Sequence, residues 1–396
     1  MLQTRAIISV RPLAFMLKVS LFLDFAEDHR LSMEAYASGL TSALRSECWD
    51  CDIAEYRPVP FQWPESQHVR MRLSRYIAYP LQARSRQSDV NHIVDHGYGH
   101  LLRFMDASRT VVSVFDLIPL LRWKALIPGV RPARKPVLNL FSFRALSGAA
   151  HLIAASENTK TDLIRHLDCR DHQITVIAPG VDTDVFRPLS PQERRRAAAE
   201  LGLPANGKRV VLLTGSQFYK NHTRALRVLK RVATDQRLPI QIAKTGPVDE
   251  AFFEVADKLG LLDAVSFLGV VPTASVARLY NAADLLFFPS LYEGFGWPPL
   301  EAMACGTPVV VSSAASLPSV VGDAALIADP LDEDELAKAV TLALTDVTVR
   351  QRLIAAGLAR VKEFSWRSTA RQTRVVYDKV LAGPAALGGR VQEQTA

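Results

Sequence analysis

Short runs of branched and aromatic residues alternate along this chain with longer stretches of helical character. Residues 19–23, 91–95, 110–115, 151–155 and 173–177 read as buried strands. After Pro188 the pattern begins again, at 209–213, 240–243, 265–268, 284–288 and 307–311. Strands that alternate with helices belong to parallel sheets covered on both faces. Two such series in succession predict an α/β protein with two doubly wound, Rossmann-like domains. The change of domain is expected between Pro179 and Pro188, where two prolines and a glycine interrupt the pattern. The expected division is an N-terminal domain over 1–185 and a C-terminal domain over 186–365. A helix over about 366–383 crosses back to the first domain. Residues 1–15 read as an extension without a fold role and 384–396 as a flexible tail rich in Gly, Gln and Ala. Ligands of open parallel sheets bind beyond the carboxyl ends of the strands. A cleft between two facing domains is therefore where chemistry is expected.

Composition narrows the options. A chain of 396 residues exceeds one ordinary hydrophobic core. Its 48% hydrophobic and 22% charged residues, with a mean hydropathy of +0.08, are those of a folded globular protein. No apolar run reaches the roughly 18 residues that a bilayer demands. The nearest, 111–121, contains Asp116. The net charge of +7 and the pI of about 9.3 suit a nucleic acid, an anionic membrane or a phosphorylated small molecule. No zinc spacing or RNA-binding aromatic signature is present, so nucleic acid is not expected as a partner. Arg122, Lys124, Arg131, Arg134, Lys135 and Arg144 are interleaved with Trp123, Leu126, Ile127 and Phe141. That segment reads either as a surface for anionic lipid headgroups or as a solvated basic face. The start lacks a cleavage site of signal-peptide type, so a cytoplasmic protein, peripheral at the inner face of the membrane, is expected. Cys48 and Cys51 have redox spacing but no second ligand pair, and Cys169 and Cys305 read as ordinary small residues.

The most informative segment runs from Asp284 to Pro308 and reads as strand, loop, helix, stop, strand. Pro289 ends the strand, Pro298 and Pro299 suit a first helical turn, and Gly306 suits a helix stop. Gly294 and Gly296 let the backbone approach a ligand and expose N–H groups to it. The helix start adds partial positive charge suited to a diphosphate. Glu293 before the helix and Glu301 inside it can then accept hydrogen bonds from the hydroxyls at the two ends of one ligand. A nucleotide sugar has that form. A second loop, from Leu213 through Gly215 to Lys220 and Asn221, follows a strand and opens a helix. Its lysine can reach a phosphate.

These residues resemble the Glu-x7-Glu motif of the glycosyltransferase family 4 enzymes, of which Glu293 and Glu301 would be the two carboxylates. The resemblance extends through Val265–Gly269, Pro308–Ser312, Ser156-Glu-Asn-Thr-Lys160 and Ile177-Ala-Pro-Gly180-Val-Asp182, and it is weaker before residue 150. It implies the GT-B fold and transfer with retention of anomeric configuration. It implies that Glu301 binds the ribose and that Glu293 lies near the transferred sugar. The backbone of Phe295 and Gly296 would bind the sugar or diphosphate, and Lys220, with Gly215 in its loop, the diphosphate. Members usually have an arginine near that lysine, whereas this chain has Ser216 and Tyr219. Members commonly have His before Asp116, whereas this chain has Phe115.

Further site candidates lie at strand ends. Asp116 ends one strand. His96, with Tyr98 and His100, ends another and is either a cleft residue or a satisfied structural histidine. The loop Asp28-His29-Arg30 follows the first strand without the family's glycine pair. No Asp-x-Asp stands at a suitable strand end, so neither a divalent metal nor a bound cofactor is expected. From the resemblance, the expected donor is a GDP- or UDP-sugar, mannose being the first choice of hexose. The expected acceptor is a glycan or lipid-linked glycan of cell-surface polysaccharide. The alternatives are a catalytically impaired homologue that binds a nucleotide sugar or a partner, and a phosphorylase or epimerase.

Overall fold

A computed structural model describes residues 16–204, 207–247 and 250–383. The first sheet comprises β1 (Leu17–Phe22), β2 (Cys51–Tyr56), β3 (Val90–Ile93), β4 (Thr110–Val114), β5 (His151–Ala154) and β6 (Ile174–Val176). The second comprises β7 (Arg209–Leu213), β8 (Ile240–Thr245), β9 (Val265–Gly269), β10 (Leu285–Phe288), β11 (Val309–Ser312) and β12 (Leu326–Ala328). All pairings are parallel, in the orders β2-β1-β3-β4-β5-β6 and β12-β11-β10-β7-β8-β9.

Each strand expected from the sequence is present within two residues at either end. The expectation missed β2 and β12, and both are edge strands. β2 buries only Ile53, so it lacks an apolar run, and β12 is three residues long. β3, β4, β5, β10 and β11 are buried throughout, as central parallel strands are.

The helix Trp366–Ala382 packs on the first sheet's side of the molecule. Tyr377 hydroxyl meets His92 Nδ1 at 2.7 Å, and Thr369 donates to the Ala178 carbonyl at 2.8 Å. Gly180 passes this helix so closely that a Cβ there would overlap Trp366. Residues 1–15 and 384–396, read as extension and tail, lie outside the described residues.

Candidate active site

In each sheet the winding reverses once, and a crevice opens at the carboxyl ends of the two strands that flank the reversal. In the second sheet these are β7 and β10. The loop after β7 carries Gly215 and Lys220, and the loop after β10 carries Glu293. Lys220 Nζ donates to Glu293 Oε1 at 2.8 Å. The two residues are only 7% and 8% exposed. The ammonium also stands 4.2 Å from the centre of the Phe288 ring. The backbone joins the same loops, Leu291 N–H donating to the Tyr219 carbonyl at 2.7 Å. Gly215 has φ +78, and a Cβ there would come 3.2 Å from Lys220 Cε. Removing one member of a buried ion pair leaves an uncompensated charge. A ligand that parts this pair must therefore bring an anion to Lys220 and hydrogen-bond donors to Glu293.

The loop 289–296 is held from three sides. Ser316 Oγ lies 2.9 Å from the Glu293 carbonyl and 2.7 Å from the Phe295 carbonyl. Ser156 Oγ donates to the Gly294 carbonyl at 2.7 Å, while it caps the helix Glu157–Leu167 by accepting from Thr159 N–H. Thr159 in turn donates to the Phe115 carbonyl at 2.7 Å. Gly296, at φ +117, precedes the helix Trp297–Ala304, whose first turn holds the two prolines. Gly306, at φ +73, ends it. The Phe295 side chain is buried against Trp297 and Phe364. Among the described residues, the N–H groups of Phe295 and Gly296 have no protein acceptor. Buried N–H groups are normally bonded, so these two are open to a ligand oxygen. Glu301, on the second turn of the helix, accepts from Tyr280 hydroxyl at 2.9 Å. Burial pushes its carboxyl up to about 7, against the lowering effect of that bond.

Gly294 has a packing role that the sequence did not disclose. A Cβ there would overlap the Phe115 carbonyl oxygen and come 2.9 Å from Asp116 Cβ. This glycine lets the two halves of the molecule touch.

The facing wall comes from the first sheet. Asp116 follows β4, accepts from Ile118 N–H at 2.9 Å, and is raised by burial. The Phe115 ring turns away from the loop, to Tyr36 and Trp297 at 4.8 and 5.7 Å between centroids. His96 is buried and stacked on Phe143 at 5.6 Å, with Nδ1 3.5 Å from Phe115 N–H. Burial, aided by the charge of Arg30, pushes it down to about 3. It is therefore a neutral hydrogen-bonding ring at physiological pH. His100 bonds Ser142 and the Arg75 carbonyl, and Tyr98 bonds Asp28 and Arg75. Both are packing residues beneath the cleft.

Several participants were not anticipated. Ser316 gave no local signal. Lys244, the last residue but one of β8, is buried, donating to the Thr245 carbonyl at 2.7 Å and to the Gly215 carbonyl. It braces the Lys220 loop from below. A lysine directly after Ile242 and Ala243 in a strand was the available clue.

The family model for Glycosyltransferase Family 4 matches residues 31–185, and that for Glycosyl transferases group 1 matches 193–360. O-antigen chain mannosyltransferase B of Escherichia coli is 32% identical over 237 residues, 59% of this chain and 61% of that protein. The MMP alpha-(1->4)-mannosyltransferase of Mycolicibacterium hassiacum is 34% identical over 241 residues, 59% of this chain and 55% of that protein. The D-inositol 3-phosphate glycosyltransferase of Corynebacterium aurimucosum is 31% identical over 237 residues, 57% of this chain and 56% of that protein. The chain thus spans less than two thirds of the length of these relatives. Sucrose-phosphate synthase from Thermosynechococcus elongatus superposes with a TM-score of 0.73 at 20% identity, covering 92% of this chain and 99% of that one. Anabaena HepE in complex with UDP-glucose gives 0.70 at 17%, covering 91% and 99%. WaaG, a glycosyltransferase involved in lipopolysaccharide biosynthesis, gives 0.69 at 17%, covering 91% and 99%. The fold is GT-B.

Proposed function

The chain belongs to glycosyltransferase family 4, and we propose that it transfers a hexose from a nucleotide-diphosphate sugar to a glycan or lipid-linked glycan of cell-surface polysaccharide. Mannose is the first choice, supported by the mannosyltransferases among its relatives. The single observation that carries this reading is the buried Lys220–Glu293 pair at the β7/β10 crevice, beside two N–H groups without acceptors. A nucleotide sugar supplies each component: phosphate for Lys220, phosphate oxygens for the N–H groups of Phe295 and Gly296, and a sugar hydroxyl for Glu293. Glu301 accepts from the ribose hydroxyls. The structural neighbours that bind UDP and UDP-glucose support a nucleotide in this fold's cleft.

Transfer proceeds with retention. The acceptor oxygen attacks the anomeric carbon from the face that the diphosphate leaves. The sugar–phosphate bond breaks as the new glycosidic bond forms, and the acceptor's proton passes to the departing phosphate oxygen. Lys220 and the N–H groups hold the charge that develops there. His96 and Asp116 line the acceptor side as hydrogen-bonding groups.

The enzyme acts at the cytoplasmic face of an anionic membrane. No helix among the described residues is long and apolar enough to cross one. Support comes from Leu126, Val137, Leu138 and Phe141, which are exposed in the same segment as Lys124, Arg131, Arg134 and Lys135. A second reading, a homologue that binds the donor without turnover, is favoured by Phe115 standing where a histidine is usual. Incubation of the purified protein with GDP- and UDP-sugars decides between them. Release of nucleoside diphosphate that is lost in Glu293→Ala establishes turnover, and NMR of the product anomer tests retention. Absence of release with every donor and acceptor would sink the catalytic reading.

A further inference from the structure

The first sheet has a reversal of its own, between β1 and β3. The loops after these strands bring together Asp24, Arg30, Asp95 and His96. Arg30 Nη1 ion-pairs with Asp95 and lies 3.9 Å from Asp24 Oδ2. It also rests on the Gly97 backbone, where a Cβ would come 3.3 Å from Nη1. Asp95 is fully buried and Asp24 only 4% exposed, yet the Arg30 side chain is 42% exposed. The guanidinium is thus held by one nitrogen and open on its other side. It carries five N–H donors. Among the described residues, Nε and Nη2 have no protein partner.

Arg30 is linked to the donor loop by a short run of contacts: its partner Asp95 lies 3.4 Å from His96 Nδ1, His96 Nδ1 lies 3.5 Å from Phe115 N, and the Phe115 carbonyl is packed on Gly294. Burial raises the Tyr219 phenol and the Asp116 carboxyl, and at both the Arg30 charge works against burial. Tyr219 precedes Lys220, whose ammonium is 5.4 Å from the Tyr219 ring. The donor loop lacks a second cation of its own, because Ser216 and Tyr219 occupy the neighbouring positions. Arg224, the next arginine along the chain, is turned to the Pro330 carbonyl and Glu333. One lysine is left to meet a diphosphate of at least two negative charges. Burial pushes Asp24 up to about 6, and its carboxylate stands 3.9 Å from Nη1, the same nitrogen that Asp95 holds, which leaves Nε and Nη2 open.

We propose that Arg30, from the opposite domain, is the second cation on the donor diphosphate. Its Nε and Nη2 take phosphate oxygens while Nη1 stays on Asp95. The planar fork of a guanidinium suits that double task, and an ammonium does not. Donor binding would then draw the two halves of the molecule together across the diphosphate. The inference rests on the donor site proposed above.

The test is calorimetry on the full chain with GDP, UDP and the corresponding free nucleosides, at two salt concentrations. Arg30→Gln is expected to weaken the nucleoside diphosphate on the order of tenfold and to flatten its salt dependence. The free nucleoside should bind as before. Arg30→Lys preserves the charge beside Asp95 and should recover only part of the loss. It also serves as the reading variant if Arg30→Gln lowers the unfolding temperature. Arg196→Gln, a surface arginine paired with Glu200, should change nothing. Unchanged diphosphate affinity in Arg30→Gln, with affinity lost in Lys220→Met, overturns the role of Arg30 and leaves the donor site standing. This is so even if Arg30→Gln raises an acceptor KM. Unchanged affinity in both variants overturns the donor site as well.

Discussion

The two crevices of this molecule face each other, yet they are assembled in opposite ways. At the β7/β10 crevice, Glu293, Gly296 and Glu301 come from one strand–loop–helix unit, and Lys220 from the loop beside it. At the β1/β3 crevice, Arg30, Asp95, His96 and Asp116 come from three strand ends far apart in sequence. The first is a local structure whose glycines and prolines set the backbone path. The second exists only once the strands have paired. Under the proposed function this is a division of labour: a donor site prebuilt by local structure, and an opposing wall assembled by strand pairing.

Breaking the donor side should have the largest effect. Glu293→Ala and Lys220→Met are each expected to lower turnover by roughly 10²–10³, measured as nucleoside diphosphate released per unit time. Equal turnover in the variants and the natural chain would remove the β7/β10 crevice from the chemistry.

The junction between the crevices is the next place to strike. Gly294→Ala must push Phe115 and Asp116 away. A loss of about 1–3 kcal/mol of stability is expected, with activity falling further because the halves no longer meet. Thermal unfolding and initial rates check this. A variant with full activity would show that the contact is dispensable.

Glu301 gives the donor side a pH signature. Its carboxyl titrates near 7 because burial disfavours the charged form. The ionised form is the better acceptor for ribose hydroxyls. Nucleotide affinity should therefore rise several-fold between pH 6 and 8, and Glu301→Gln should flatten that rise. A profile of equal slope in both proteins would detach the ribose from Glu301.

The smallest expected effect lies on the facing wall. Asp24 is held near 6, above the ordinary 3.8, and neither oxygen has a hydrogen-bond partner among the described residues. A raised carboxyl contributes its stability at low pH and loses it as pH rises through the folded value. At pH 8 the charged, buried group is a burden. Asp24→Asn should stabilise the fold there by roughly 1–2 kcal/mol, and the gain should vanish near pH 4. Destabilisation at pH 8 would mean that Arg30 depends on the Asp24 charge more than on Asp95.

The same contrast explains what the sequence disclosed. The eight central strands, and the edge strands β6 and β9, are mostly apolar runs and were legible. β2 has a single buried residue and β12 only three residues, so neither carries a pattern. Glu293, Glu301 and Lys220 were legible because turn residues around them encode the local path. Their ion pair was not, since it depends on the order β10-β7. Gly294 was recognised as a close-approach position, but the partner turned out to be Phe115. His96 was recognised as a strand-end histidine, but its neutral state depends on Phe143 and Arg30, which no local spacing discloses. Ser316 offered no sequence signal, because its role is a long-range contact to backbone, and Asp24 offered none although its arginine, Arg30, belongs to the same loop after β1.

The most direct test of a donor site at the β7/β10 crevice is a titration of the purified chain with GDP- and UDP-sugars by calorimetry, beside Lys220→Met under the same conditions. Saturable binding of at least one donor by the natural chain is expected, weakened tenfold or more in the variant. Binding of equal strength in both, or none to the natural chain with any nucleotide sugar, would contradict it.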